Sequence, residues 1–434
     1  IEFSEVNAVT NVMLKEATPK AKAKHKIKAG VYTPTFKETI EFSDTLRRFL
    51  NKYPHVEEHV RSLHGSYRSC SRHAGGVVVG ENLDKYMPLI ASKGVRQTPW
   101  SEGQNVRQLE PLGFIKFDIL GLSTLRMIEG CIKRIIDTSG DHKDVKAFYD
   151  KYLHPDTIDL YDQSVYENIF HKGSWAGIFQ FTESGAQNFA KRAMPKSIID
   201  LAAITSIYRP GPLSAGVDKM YVTAINDTLS INYPHDIVEE VTKETFGFLI
   251  FQEQIALLAH KLGDGISLDE GNLLRKVLTK KGGDERKDNK SKQKSKADLT
   301  KNKIHDKFIR GCISKGLGKE KGEDLWKTFE YFSGYGFNKS HAVSYSIISF
   351  QCAWLYNYYP NEWMASFLDR EPDSRKEKAI NIAKSHGFNI RPIDINTSGA
   401  GWQAVGRNTL VAPLNSIKGL GDKAIEEIIA NRPF

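Results

Sequence analysis

The sequence predicts a multi-domain α/β protein that is mostly helical, and three features carry that expectation. Its 434 residues, 40% of them hydrophobic, are enough for more than one packed core. From Thr124 onward, helix-length segments follow one another, separated by glycine- and proline-bearing breaks such as YRPGPLSAG and KLGDGISLDEG. Two stretches, RHAGGVVVG and GFIKFDILGL, have instead the β-branched and apolar composition of short strands bounded by glycine.

Composition excludes several classes of protein. No stretch approaches the roughly 18 uninterrupted apolar residues of a membrane span, and no signal-type segment opens the chain, so no membrane partner and a cytoplasmic location are expected. Cys70, Cys131, Cys312 and Cys352 lie far apart without CxxC spacing, which reads as reduced structural thiols. Sixty-one Lys and Arg against 52 Asp and Glu leave a formal charge of +9, a mild bias toward anionic partners such as nucleic acid. The sequence opens on Ile1 rather than methionine and closes on ANRPF, as if a helix were cut in mid-course, which reads as a segment of something longer.

Taken in order, residues 1–67 are helical and basic. KEATPKAKAKHKIKAG carries Lys22, Lys24 and Lys26 among six lysines, suited either to tracking a nucleic-acid backbone or to an ordinary solvated face. The two strand stretches follow, and ASKGVRQTPWSEGQNVRQ between them is polar and turn-like. After the helical run begins, residues 280–303 hold ten Lys and Arg against four acids with almost no apolar residue, and a disordered basic loop is expected. GFNIRPIDINTSG near the end reads as a strand and turn. SIKGLGDKAIEEIIANR then resembles the hairpin of a helix-hairpin-helix element, in which Lys418, Gly419 and Gly421 would present backbone amides and charge to a DNA phosphate.

Three stretches carry candidate chemistry. In GFIKFDILGL, strand alternation puts Lys116 and Asp118 on one face of an apolar strand. Either they form an ion pair at a sheet edge, or Asp118 is a metal-binding carboxylate of the hard-oxygen kind that Mg²⁺ prefers. In YRPGPLSAG, Arg209 stands in a stiff turn after an apolar helix, suited to bidentate phosphate recognition or to capping that helix. In GYGFNKSHAVSYS, a helix beginning near Ser340 aims its unpaired amides at a loop bearing Tyr335, Lys339 and His341. That set would make an anion pocket beside a stacking ring, the chemistry of a nucleotide site, or merely a serine-capped helix over packed aromatics.

Read together, RHAGGVVV, FIKFDILGLSTL, GIFQFTESGAQNFAKR, YRPGPLSAG, IFQEQIALLAHKLGDGISLDEGNLLRK, GYGFNKSHAVSYSIISFQCAWLYNYYP and IKGLGDKAIEEII resemble the family C replicative DNA polymerases, the bacterial polymerase III catalytic subunits, over nearly the whole chain. The resemblance implies a partial nucleotidyltransferase-type palm with a mixed sheet at 1–14 and 69–123, a helical thumb at 15–68, and large helical fingers at 124–434. The helix-hairpin-helix-like element would occupy 415–434. It implies a two-metal mechanism with two Mg²⁺ ions, template-directed addition of dNMP to a primer 3′-hydroxyl, and release of pyrophosphate. Asp118 matches the third of three palm aspartates and Lys116 a phosphate-neutralising lysine. Arg209, Tyr335, Lys339 and His341 match positions facing the incoming nucleotide, and Arg275 in LLRKVL resembles another basic fingers residue.

Primer-template DNA and dNTPs are the implied partners, with a sliding clamp and other replisome subunits for the full-length protein, in a bacterium or a phage. The clamp-binding motif has no match in this sequence. Nor has the PDxDxDF motif that bears the first two aspartates, so the chain is expected to be inactive alone. VRQTPWSEG departs from the usual threonine-glutamine pattern, and 280–303 has the look of an insertion. The alternative from another class is a non-catalytic primer-template-binding relic or accessory module in which Asp118 is structural.

Overall fold

The computed structural model describes all residues except 26–31, 33, 64–70, 93, 103–106, 141–143, 210–211, 214–215, 228–230, 280–295 and 333–335. The chain divides into two compact units, Ile1–Gly121 and Leu122–Phe434, two residues before the expected palm-to-fingers boundary. Helices dominate both, and the strands are two or three residues long.

The first unit begins with the helices Phe3–Lys24, Phe36–Phe42, Asp44–Lys52 and Pro54–Leu63. One continuous helix with Pro19 in its interior runs through residues 14 and 15, where a palm piece was expected to give way to a thumb. Val9, Leu46 and Leu50 form its small core, with Met13, Ile40, Phe49 and Val56 packed against them. So small a core leans on polar ties. Glu16 accepts hydrogen bonds from Ser43 Oγ and Thr45 Oγ1, both at 2.7 Å, joining the first helix to the start of the third. Thr35 and Glu38 form a capping box at the start of the second.

Glu38 also takes a 2.5 Å contact from His25 Nε2 and a 2.8 Å bond from the Tyr32 hydroxyl. The His25 contact and the Thr35 N–H hold its carboxyl at about 2 against an ordinary 4.5. Because the unfolded chain takes up that proton at higher pH, the stabilisation is complete above about pH 4.5 and is lost as pH falls toward about 2. Glu38→Gln is therefore expected to lower the melting temperature near neutrality and to flatten the acid limb below that pH. Circular dichroism melts as a function of pH check it, and an unaltered acid limb would remove this cluster from the account.

β1 (Gly76–Val78) pairs antiparallel with a distant strand, β4 (Lys116–Asp118), while β2 (Ile90–Ser92) and β3 (Val95–Gln97) make a hairpin between them. The stretch expected to be turn-like thus contains strands: Gly94, at φ 75°, supplies a left-handed residue for a tight connection that lets the flanking segments pair. Both sheets here are two-stranded and antiparallel, so the expected mixed sheet is not found among the described residues of this unit. Parallel pairing occurs instead near the chain's end, where β5 (Asn389–Arg391) runs parallel to β7 (Thr409–Val411) and β6 (Gln403–Ala404) antiparallel to it.

The second unit is built on helices that are apolar nearly all round. Ile198–Ile207 buries eight of its residues, and Lys339–Tyr358 buries Ala342, Phe350, Cys352, Ala353 and Leu355 where the two pack together. The apolar stretches of such helices are buried in the core, while the polar first turn of Lys339–Tyr358 keeps Ser340 and His341 exposed. A large core surrounds them, including Phe170, Phe181, Trp363 and Leu368, and a second core gathers Leu258, Phe308, Trp326 and Phe329. The terminal sheet is held to this body by Arg134, which pairs with Asp369 and reaches the Trp402 carbonyl, while Asp369 accepts the Trp402 N–H at 2.9 Å. Cys131, Cys312 and Cys352 are buried, and burial pushes the Cys312 and Cys352 thiols up to about 11 and about 12. Cys70 lies outside the described residues.

Two further expectations change. Residues 280–295 of the basic stretch lie outside the described residues, but 296–303 are helical, the first turns of Lys296–Ser314. Ile304, Phe308 and Cys312 of that helix are buried at helical spacing, and their packing extends order upstream into the lysine-rich end. The final helix, Asp422–Ala430, closes at Asn431 and is not cut in mid-course, with Arg432 Nε donating to the Ile395 carbonyl at 2.7 Å. Among the described residues no helix is long and apolar enough to cross a membrane.

Candidate active site

In the first unit the β1–β4 register sets Gly76 opposite Asp118 and Val78 opposite Lys116. The approach is close enough to require glycine. A Cβ on Gly75 would lie 2.8 Å from the Ile119 carbonyl oxygen, and one on Gly76 would lie 2.8 Å from His73 Nδ1. His73 Nδ1 accepts the N–H groups of Gly75 at 3.1 Å and Gly76 at 2.5 Å, which assigns the proton of the neutral ring to Nε2. That nitrogen lies 3.9 Å from Asp118 Oδ1, and Lys116 Nζ lies 3.0 Å from the same oxygen.

The edge ion pair that the strand pattern allowed is therefore present, yet the Asp118 side chain stays 58% exposed. The carboxylate end of the pair is open to water although Lys116 is only 19% exposed, so the pair does not commit the carboxylate. His73, within the quoted RHAGG stretch, was not singled out from sequence, and its only signal was its place before two glycines. Among the described residues no three His, Cys, Asp or Glu side chains gather as a metal site. One carboxylate with an ammonium against it does not meet the needs of a two-magnesium site.

In the second unit, Arg209 lies just beyond the Ile198–Ile207 helix, whose C-cap is Tyr208. Its guanidinium does not fold back as a cap. It lies over Phe337, with Cζ 3.9 Å from the ring centre, and no carboxylate pairs with it among the described residues. Burial draws it below its ordinary value, though a guanidinium keeps its charge. Beside it is a cavity of about 250 Å³ lined by Gln180, Phe181, Ala186, Ile204, Thr205 and Tyr208.

Phe337 joins Arg209 to the helix that opens with Lys339. Its ring meets His341 at 5.3 Å between centres, and His341 meets Tyr345 at 4.2 Å. Phe337 is itself pinned by exchange with the segment before Gln252–Leu262: its N–H donates to the Ile250 carbonyl at 3.0 Å and its carbonyl accepts the Gln252 N–H at 2.9 Å. The helix starts at Lys339 and is capped by Asn338, not by Ser340, because the Asn338 side chain accepts the His341 N–H at 2.8 Å.

The amide end of this helix is already occupied from within. Glu253 accepts the Lys339 N–H at 2.9 Å and the Asn338 side-chain amide at 2.8 Å, and faces Arg275 at 3.5 Å. Lys339 Nζ donates to both oxygens of Glu244 at 2.7 Å. Arg209, Arg275, Lys339 and His341 are thus linked through Phe337 and Glu253, while Tyr335 lies outside the described residues. Glu244, Glu253 and Phe337 were missed from sequence. The asparagine cap was visible as Asn338 three residues before His341, but no local signal marks which distant carboxylates would close on Lys339.

The remaining candidates lie elsewhere in the sequence. Lys22 and Lys24 end the first helix, where Lys24 is gripped by both oxygens of Glu41 at 2.9 and 2.8 Å; Lys26 lies outside the described residues. Near the end of the chain, Lys418, Gly419 and Gly421 form the turn into Asp422–Ala430. Gly419 sits at φ 90°, Gly421 is the N-cap, and a 3₁₀ turn, Leu414–Ser416, replaces a full helix on the other side.

Comparison with known proteins divides the sequence along similar lines. Residues 3–121 match the bacterial DNA polymerase III alpha NTPase domain, 124–302 the bacterial DNA polymerase III alpha subunit finger domain, and 387–434 a helix-hairpin-helix motif. DNA polymerase III subunit alpha of Campylobacter jejuni is 33% identical over 412 residues, covering 92% of this chain and 32% of the relative. The Aquifex aeolicus protein of that name is 33% identical over 392 residues, 89% of this chain and 31% of the relative. The Borreliella burgdorferi one is 32% identical over 410 residues, 92% and 32%. The chain spans about a third of the length of the curated relatives it matches.

Proposed function

The chain belongs to the bacterial DNA polymerase III alpha family, and from that premise we propose that it supplies part of a DNA-directed DNA polymerase. The observation that carries this reading is the cation set at the start of Lys339–Tyr358: an Arg209 without a carboxylate partner among the described residues, its Cζ over the Phe337 ring, which in turn meets His341, two residues from Lys339. A planar guanidinium on a rigid ring suits bidentate contact with phosphate oxygens. The lysine adds a mobile point charge and the histidine ring a donor. In the reaction, the primer 3′-hydroxyl oxygen bonds to the α-phosphorus of a dNTP and gives its proton to solvent as the bond from that phosphorus to the oxygen bridging to the β-phosphate breaks, and these residues would hold the departing pyrophosphate.

Asp118 is the carboxylate proposed for the palm, with the Lys116 ammonium against it and the His73 ring nearby. The two further aspartates that the family resemblance calls for have no match in residues 1–434, and a magnesium pair would need ligands beyond those described. Under this reading 15–68 serve as thumb, 69–123 with 1–14 as palm, and 124–434 as fingers, with the Lys418–Gly421 turn on duplex phosphates. Clamp and other replisome contacts would belong to other parts of the assembly.

The test is primer extension by the native polypeptide carrying these residues, on a labelled primer-template. The expected result is one-nucleotide lengthening only with the dNTP complementary to the template, with one pyrophosphate released per addition. A duplex that binds but is never extended with any dNTP would favour the DNA-binding module.

A further inference from the structure

We infer that Glu244 is an internal competitor for the nucleotide, holding Lys339 when the pocket is empty and yielding it to phosphate oxygens when a triphosphate binds. The inference rests on the nucleotide reading of the pocket and concerns how its affinity is set. Of the cations proposed for it, Arg209 has no carboxylate partner among the described residues, whereas Lys339 is fully spoken for, with both Glu244 oxygens 2.7 Å from Nζ. A lysine charge so neutralised offers little to an incoming anion unless the pair opens.

The two partners differ in freedom. Glu244 lies in the 3₁₀ turn Lys243–Thr245, whose next residue, Phe246, is left-handed at φ 53°. Thr245 is wholly buried, donates to the Phe248 carbonyl at 2.6 Å, and accepts from Gln254 Nε2 at 2.7 Å. The acid therefore stands on a fixed base. Apart from the Glu244 pair, Lys339 is held by Glu253 at its backbone and has its Nζ 5.8 Å from the centre of the Phe251 ring, and it carries its charge on a flexible four-carbon stem. Exchange thus takes the form of a lysine head swinging from a stationary carboxylate to a phosphate. Both side chains are about one-third exposed, at 33% and 34%, so water can enter as the pair separates and the swap carries no large desolvation barrier. The same competition works in reverse, because Glu244 recaptures Lys339 as pyrophosphate departs and so favours product release.

Isothermal titration of the native polypeptide with dATP and with inorganic tripolyphosphate tests this. Glu244→Gln is expected to tighten both by about three- to five-fold, the size of one partly exposed ion pair that no longer has to open. Glu244→Ala should act in the same direction. Lys339→Ala should weaken binding, and Glu244→Gln should bring no gain in its background. If binding depends on Arg209 but Glu244→Gln leaves it unchanged or weaker, the competitor role is overturned while the pocket stands. If neither ligand binds in an Arg209-dependent way, the nucleotide reading falls and this inference with it.

Discussion

Asp118→Asn, made in the native polypeptide, is expected to cut primer extension by on the order of 10³-fold or more, the loss typical when one electrostatic catalytic group is removed. Primer-template affinity should stay within about two-fold, because contacts that position a duplex go mostly to its phosphates. The separation of the two readouts follows from where the residue sits. Its side chain is 58% exposed at the end of β4, although its partner Lys116 is only 19% exposed. Asparagine has the same shape and removes only the charge, so the fold has little to lose. Extension gels and fluorescence anisotropy on the same preparations decide the matter. Parallel loss of extension and DNA binding would make Asp118 a structural residue and return the Lys116 pair to the plain role of an edge contact.

Arg209→Ala should raise the apparent KM for dNTP by about ten-fold or more, as expected when a charge-assisted bidentate contact worth roughly 1.5–3 kcal/mol is lost. Single-nucleotide incorporation across a dNTP series reads it, with kcat and KM fitted separately. Arg209→Lys should recover only part of the loss. A lysine keeps the charge but lacks the planar guanidinium whose carbon sits over Phe337, 3.9 Å from the ring centre. Equal rescue by lysine would mean that charge alone matters and that the stack is incidental. Unchanged kinetics in the alanine variant would remove Arg209 from the pocket.

Much of this was legible in the sequence for local reasons. The β-branched run after two glycines and the apolar run around Lys116 do form strands, and the segments after Thr124 do form helices, because periodicity and glycine placement act over a few residues. The turn at Gly419 and the start of the helix near Lys339 were likewise visible within short windows. The β2–β3 hairpin was hidden by its polar composition, since only backbone pairing across Gly94 distinguishes it from a loop. The lysine-rich end of Lys296–Ser314 was hidden because buried residues further along, not its own propensity, hold it in helix.

The sequence by itself determined which residue types stand at the candidate site: the acid at 118, the arginine at 209, the lysine and histidine at 339 and 341. Only the tertiary structure decided their state. It placed Glu253 and Glu244 against Lys339 from 86 and 95 residues away, and left Arg209 stacked on an aromatic ring without a carboxylate partner among the described residues. The reason is physical. Helix and strand preferences are set by neighbours a few positions apart, whereas the charge available to a ligand depends on which opposite charges the folded chain brings within about 3 Å, and no local pattern encodes that distance.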